Sequence, residues 1–388
     1  MLVLLLIASI QLKTVWEKTF DEPVVDVWVE IDEMTVKEAK RLGIKGLEGK
    51  SPNEKVKVPL IKAIRTKNKV LFLDKEGNIK EEMQIPGRLL PAFNKGFFIT
   101  ETFDRESYYY HLKCYDLKGN LIWEKDNLRN PSFLSSDKNY LLSGSEAGTG
   151  IESFKDLVLI DAKTGKELCR MRVGSDFWVS KILPSGEVIV FEHCYPYTLM
   201  KVYLLNKSGE KLWEFKREIK EGLSSEKIMY KNGKVILYLS TGARKNSERL
   251  MCLDKNSGEI LWEKILEGEI GYKFAIPKAK NILYVKSAGK AYGIDINNGK
   301  TIWRCNYKDG YYIYVSVSSD GKYLLLHRGG LGKNRNKLLL IDVESKTIKK
   351  IEREVNIYGR FIKDSNLILL KREDNKFEII KITKKEGL

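Results

Sequence analysis

CLDKNSGEILWEK, residues 252–264, decides the fold. A short apolar run leads into Asp254, polar residues lead on to Gly258, and an apolar stretch carrying Trp262 follows. An Asp or Asn can accept hydrogen bonds from turn amides two residues on, and Gly supplies the φ > 0 position that closes a short hairpin loop. With apolar strands on both sides, the segment reads as a β-hairpin.

The pattern recurs along nearly the whole chain. It appears as FLDKEGNIKEEM from Phe72, CYDLKGNLIWEK from Cys114, LIDAKTGKELCR from Leu159, LLNKSGEKLWEF from Leu204 and GIDINNGKTIWRC from Gly293. A degenerate copy, LIDVESKTIKKI, starts at Leu340. The turn glycines are Gly77, Gly119, Gly165, Gly209, Gly258 and Gly299; Lys346 holds the place in the degenerate copy, and Gly387 follows near the chain end. Their separations of 42, 46, 44, 49, 41, 47 and 41 residues are the size of one propeller blade. Four residues after the glycine stand Trp123, Trp213, Trp262 and Trp303, with Cys169, Glu81 and Lys350 in the remaining copies. A large aromatic at a fixed repeat position reads as a packing knob against a neighbouring turn or blade.

The strands between the turns agree. Runs such as VIVF, VILYL, LVLI and YLLL are apolar on successive residues, which means burial on both faces. The strand after each turn alternates instead, as in Leu212-Trp-Glu-Phe-Lys216, and reads as a half-exposed outer edge. Radially packed four-stranded blades produce this combination. Residues 355–388 supply only three strands, and the segment around Trp16 (Lys13 to Phe20) matches the outer strands of other copies. The expected fold is therefore an all-β, eight-bladed propeller of antiparallel blades in which the N-terminal strand closes the C-terminal blade and removes an open edge. One interval is about twenty residues too long. There Thr35-Val-Lys-Glu38 forms a capping-box pattern, which predicts a short helix through Leu42 and a C-terminal cap at Gly43, inside an insertion at 32–55.

The turn motif resembles the tryptophan-docking repeat of the pyrroloquinoline-quinone-like propeller family, whose consensus is close to A-x-D-x-x-T-G-K-x-x-W. Asp161 to Cys169 matches it except for the final Trp, and Asp254–Trp262 and Asp295–Trp303 follow it well. The resemblance covers residues 12–388 and implies either a quinoprotein dehydrogenase or a non-catalytic scaffold. The dehydrogenases of the family use a catalytic Asp, calcium ligands from Glu and Asn, and often a disulfide between adjacent cysteines. No two of Cys114, Cys169, Cys194, Cys252 and Cys305 are adjacent, and no segment carries the Asp, Glu and Asn set. The resemblance thus points to the non-catalytic branch, with no enzyme activity and no cofactor. Some scaffolds of that branch carry a lipidated N-terminal Cys; the first cysteine here is Cys114.

Composition narrows the function further. Lys+Arg of 68 against Asp+Glu of 52 gives +16, but the basic residues are spread along the chain; the cluster Lys333 to Lys337 holds three in five. Gln occurs only at Gln11 and Gln84, and abundant Lys, Glu and Ile give a hyperthermophile-like balance that explains the charge density without a ligand. No CxxC spacing supports zinc or redox chemistry, and the cysteines read as small hydrophobes. P-loop, dinucleotide, EF-hand and nucleophile-elbow patterns are missing. The apolar run Met1 to Ile10 is too short to span a bilayer but fits a signal-peptide core, so residues 1–11 read as a signal-peptide remnant or, alternatively, a buried strand.

Loops on rigid scaffolds carry function. The connections between second and third strands are long at 144–155, 194–200, 242–249 and 329–337. With the ends of the second strands they offer a candidate binding face of Glu101, Glu146, Glu192, His193, Arg244, Arg249, Lys286, His327, Arg328 and Arg335. The expectation is a monomeric, non-enzymatic scaffold for a protein or cell-surface component, outside the cytoplasm, without a membrane span and not a nucleic-acid binder. The alternatives are a quinone-dependent dehydrogenase with its site in the channel, a basic platform for an acidic polymer, and a cytoplasmic location.

Overall fold

The computed structural model describes residues 10–19, 26–42, 44, 47–66, 69–75, 78–85, 87–128, 130–147, 154–173, 177–194, 199–218, 225–240, 248–266, 273–287, 289–307, 312–328, 337–352, 357–362, 365–372 and 376–384. These residues form eight four-stranded antiparallel sheets, the blades of an eight-bladed propeller. In seven of them the strand order is the chain order, so each is a simple meander. Blades 1 to 7 span 26–84, 88–128, 130–173, 177–218, 225–265, 273–306 and 312–352. Blade 8 takes three strands from 357–384, and its fourth is Ile10–Thr19. That strand pairs with Lys376–Lys384 from Ile10↔Lys384 to Thr19↔Lys376, with one register shift between Thr14 and Trp16. The chain folds as two compact units, 1–82 with 269–388, and 83–268.

Burial follows the strand's place in its sheet. The second strand of blade 4, Val188–Cys194, buries Val188, Ile189, Val190 and Phe191 in succession. The fourth strand, Lys211–Glu218, alternates about its one buried residue, Trp213. Side chains of the middle strands pack into adjoining blades. Phe191, Met200 and Val202 share one cluster with Val235, Leu237 and Met251 of blade 5.

The repeated turn works as a dock. Each turn Asp or Asn caps its own loop: Asp116 Oδ1 accepts from the amides of Lys118 (2.8 Å) and Asn120 (2.8 Å). Gly119, Gly165, Gly209, Gly258 and Gly299 all sit at positive φ, and Lys346 takes the same left-handed conformation at φ 58. Gly77 lies outside the described residues. Trp123 Nε1 donates to Ala162 O (3.2 Å), Trp213 Nε1 to Lys255 O (2.6 Å) and Trp303 Nε1 to Val343 O (2.5 Å). In each case the acceptor directly follows the turn Asp of the next blade. The ring covers that blade's glycine: a Cβ on Gly165 would meet Trp123 Cγ at 2.6 Å, and one on Gly258 would meet Trp213 Cε3 at 2.6 Å. Blade 3 has no Trp, and there Met171 and Cys169 face Gly209 instead. In blades 2 to 6 the pairing of third and fourth strands slips by one residue beside the turn, whereas in blade 7 it runs straight through. Such a bulge turns the outer strand locally, and blade 7 is the copy that has Lys350 in place of Trp.

The long interval is an extended ribbon. Strands Asp26–Thr35 and Lys55–Arg65 of blade 1 run on past the lengths of their counterparts and carry the helix Val36–Arg41 at the tip. Thr35 caps that helix: its Oγ1 accepts from Glu38 N (3.2 Å) while Glu38 Oε2 accepts from Thr35 N (2.8 Å). Leu42 forms the C-cap, and Gly43 lies outside the described residues. Met34, Val36, Ala39, Ile44, Leu47, Val56, Val58 and Leu60 give the ribbon a small core of its own.

Candidate binding surface

The candidate residues sort by register. Glu101 pairs across to Leu112, Lys286 to Ala291 and His327 to Leu338, each partner four residues before its turn Asp. Each of the three therefore holds the same register position within its own blade. Glu192 pairs with Lys201, five before Asn206. Side chains alternate along a strand, so a one-residue offset turns Glu192 to the opposite face of its sheet. Apolar runs carry no alternation to count from, so this offset is not visible in the sequence.

These residues do not form a water-facing rim. Glu101, Glu192 and Lys286 are only 3%, 8% and 2% exposed, and His327 is half-buried. The two carboxylates are held within and between blades. The Glu101 carboxylate accepts from Arg88 Nη1 (3.1 Å) and from Ser132 N of blade 3 (2.5 Å). Arg88 also donates to Ser132 O (3.2 Å), and its guanidinium lies 5.3 Å from the centre of the Phe133 ring. Glu192 Oε1 accepts from Tyr203 Oη (2.6 Å). His327 stacks on Tyr314, its first-strand partner, at 5.8 Å and 20°. A buried carboxylate that is paired and hydrogen-bonded locks its surroundings, and removing its partner leaves an uncompensated charge.

Arg249 belongs to a third strand, Arg249–Asp254, rather than to a loop. It donates to Glu263 Oε1 (3.1 Å), while Arg217 of blade 4 donates to Glu263 Oε2 (2.7 Å), so one carboxylate bridges two outer strands. Burial pushes the Glu263 carboxyl up, but the two arginines more than reverse this and hold it below the usual range. Arg244 and Arg335 lie outside the described residues. Glu146, His193 and Arg328 are placed in strands Tyr140–Ala147, Val188–Cys194 and Tyr323–Arg328 by their backbone alone.

One surface feature was missed in the sequence. The turn between Phe97–Phe103 and Tyr110–Asp116, the second and third strands of blade 2, presents an aromatic group. The Phe103 ring lies 4.9 Å from Tyr110 and 6.3 Å from Tyr108. Phe103 is 43% exposed and Tyr108 67%, and Tyr108 is held at φ 59. Asp104 fixes the loop by accepting from Glu106 N (3.0 Å) and Ser107 Oγ (2.6 Å). The run Tyr108-Tyr109-Tyr110 was the available signal. His111 Nδ1 lies 2.7 Å from Asp126 Oδ1 beside it.

Among the described residues, no group of three His, Cys, Asp or Glu could hold a metal ion. Cys114, Cys252 and Cys305 are buried free thiols and Cys169 a half-buried one. Burial pushes the thiols of Cys114 and Cys252 up to about 12, which makes them poor nucleophiles. The side chain of Cys194 lies outside the described residues. No helix among the described residues is long and apolar enough to cross a membrane.

A family model described as outer membrane protein assembly factor BamB matches residues 200–331. No curated protein matches the chain. Among solved structures, BamB from Moraxella catarrhalis is similar over 97% of this chain and 100% of its own, with 11% identity and a TM-score of 0.54. The computationally designed Ika8 protein is similar over 82% of this chain and 92% of its own, at 12% identity and a TM-score of 0.56. Dihydro-heme d1 dehydrogenase NirN, in complex with DHE, is similar over 82% of this chain and 71% of its own, at 16% identity and a TM-score of 0.54.

Proposed function

We propose that the chain is a pyrroloquinoline-quinone-like repeat β-propeller, a reading supported by the family model over residues 200–331 and the likeness to a BamB, and that it is a non-enzymatic scaffold that binds a protein or cell-surface component outside the cytoplasm. Contact is made through the second-to-third-strand connections, and the chain acts as a monomer. The observation that carries this reading is the aromatic turn of blade 2. Phe103 and Tyr108 are exposed on a loop that is itself hydrogen-bonded and mounted on two paired strands. Tyr and Phe on a rigid support bury much area at little cost in side-chain entropy, and such residues anchor protein interfaces. The likeness to a BamB over 97% of this chain and 100% of that one supports the same reading.

A photo-reactive phenylalanine analogue at position 108 should cross-link one partner in intact cells. The same probe at position 40, on the helix of the blade 1 ribbon, should not. Replacing Arg244, Arg328 and Arg335 together with Ser should weaken the cross-link; Arg249 is left intact because it serves Glu263. Cross-linking from position 40 alone would move the binding surface to the ribbon. The NirN likeness favours a second reading, an oxidoreductase. A redox cofactor that co-purifies and is bleached by substrate would replace the scaffold reading with that one.

A further inference from the structure

Asn206-Lys207-Ser208 is the chain's one Asn-x-Ser/Thr triplet with an open middle position; Asn130-Pro131-Ser132 is blocked by its proline. It lies in the third-to-fourth-strand turn of blade 4. The corresponding turns begin with Asp74, Asp116, Asp161, Asp254, Asp295 and Asp342. Blade 4 alone places a carboxamide there.

The carboxamide does the carboxylate's work with one atom. Asn206 Oδ1 accepts from Ser208 N (3.0 Å), Ser208 Oγ (2.8 Å) and Glu210 N (2.9 Å). Nδ2 donates one N–H to Glu210 Oε2 (2.7 Å). In blade 2 the roles are reversed, with Asn120 Nδ2 donating to Asp116 Oδ2 (2.8 Å). The exchange keeps the turn and leaves Asn206 with a second N–H beyond the bond to Glu210. Lys207, Ser208, Glu210 and Lys211 around it are exposed.

We propose that Asn206 is a site of N-linked glycosylation, taking its glycan from an oligosaccharide carried on a polyprenyl diphosphate. The proposal rests on the export reading above, since this transfer acts on translocated chains. Nδ2 forms a bond to the anomeric carbon, the bond from that carbon to the diphosphate oxygen breaks, and polyprenyl diphosphate leaves with the electron pair. One Nδ2 proton passes to a base of the transferring enzyme. The product keeps one N–H for Glu210 and all three bonds to Oδ1, so the turn survives the modification. The aspartates of the sister turns have no nitrogen to modify.

The test has two arms, each read by intact mass and peptide mapping. The full chain, the variant Asn206→Asp and the variant Ser208→Ala are secreted from yeast behind a supplied signal. The full chain is also purified from its own cells. One glycan is expected on the Asn206 peptide in both arms, with none on either variant. The Asp variant should fold with an unchanged melting temperature, because Asp is what the sister turns use. An unmodified Asn206 peptide in secreted protein overturns the proposal while leaving the export reading intact. A glycan in yeast with none in the native protein overturns the proposal and counts against export.

Discussion

Gly258 and Trp213 are one structural feature divided between two blades. The glycine holds φ 75, where a side chain is strained, and an added Cβ would stand 2.6 Å from the indole. Trp213 is 9% exposed and its Nε1 is bonded to Lys255 O. Trp213→Ala should cost about 3–5 kcal/mol in urea unfolding, the range for a buried large aromatic. Gly258→Ala should cost about 1–3 kcal/mol through clash and backbone strain. Its cost should fall markedly when Trp213 is already Ala, because the clashing ring is gone; an additive double mutant would refute the dock. Glu263 gives a residue-scale prediction in pH. Its folded carboxyl is depressed, so its contribution is full above the unfolded carboxylate range near ~4.3 and is lost as pH falls through the lower folded value. Glu263→Gln should therefore be less stable than the parent by about 0.5–1 kcal/mol at neutral pH. The two should converge as the medium is acidified below pH ~4. A difference independent of pH would show that the ion triad with Arg217 and Arg249 is not its cause.

Elements were legible in the sequence where a turn residue and a periodic pattern agreed. Asp254, Gly258 and Trp262 fix a hairpin, its bulge side and its packing face together, and the copies that follow Asp116, Asp161, Asn206, Asp295 and Asp342 also fold as hairpins. The helix behind Thr35 was readable because Thr and Glu at the right spacing satisfy each other's backbone amides. The depth of Glu101, Glu192 and Lys286 was not readable. A charged residue ending an apolar run looks the same whether it meets water or a cross-strand partner, and Arg88 lies thirteen residues before Glu101 in the chain. Two predictions belong at this scale. Deleting residues 10–19 strips the fourth strand from blade 8 and bares the edge of Lys376–Lys384. Such an edge invites pairing between molecules, so the truncated protein should aggregate or lose cooperative unfolding. A monomer with unchanged melting would separate the N-terminal strand from stability. By contrast, replacing 34–56 with Asn-Gly closes the ribbon on the Glu33↔Lys57 pair. Six of the eight buried residues of that core, Met34 to Val56, leave together, so the melting temperature should drop by no more than a few degrees.

At the scale of the molecule, eight four-stranded sheets repeat one solution, and several of the described chemistry-bearing residues are held within it. Arg88 holds Glu101, Tyr203 holds Glu192, Tyr314 covers His327, and Arg217 with Arg249 holds Glu263. A quinone-dependent dehydrogenase needs a carboxylate free to take a proton from substrate and oxygen ligands turned toward a divalent cation. Recruiting Glu101 to that role would strand Arg88 and the Ser132 amide, and recruiting Glu192 would strand the Tyr203 hydroxyl. Losing a partner at a buried charge costs several kcal/mol. The purified protein, incubated with pyrroloquinoline quinone and calcium, should therefore show no quinone absorbance after gel filtration and no dye reduction with alcohols or sugars. Calcium with the quinone should also leave its melting temperature unchanged, since a ligand that binds the folded state at a hundred times its Kd adds about 2.7 kcal/mol. A clear upward shift with retained quinone would mean that these pairs open to admit a cofactor, and the scaffold reading would give way to catalysis.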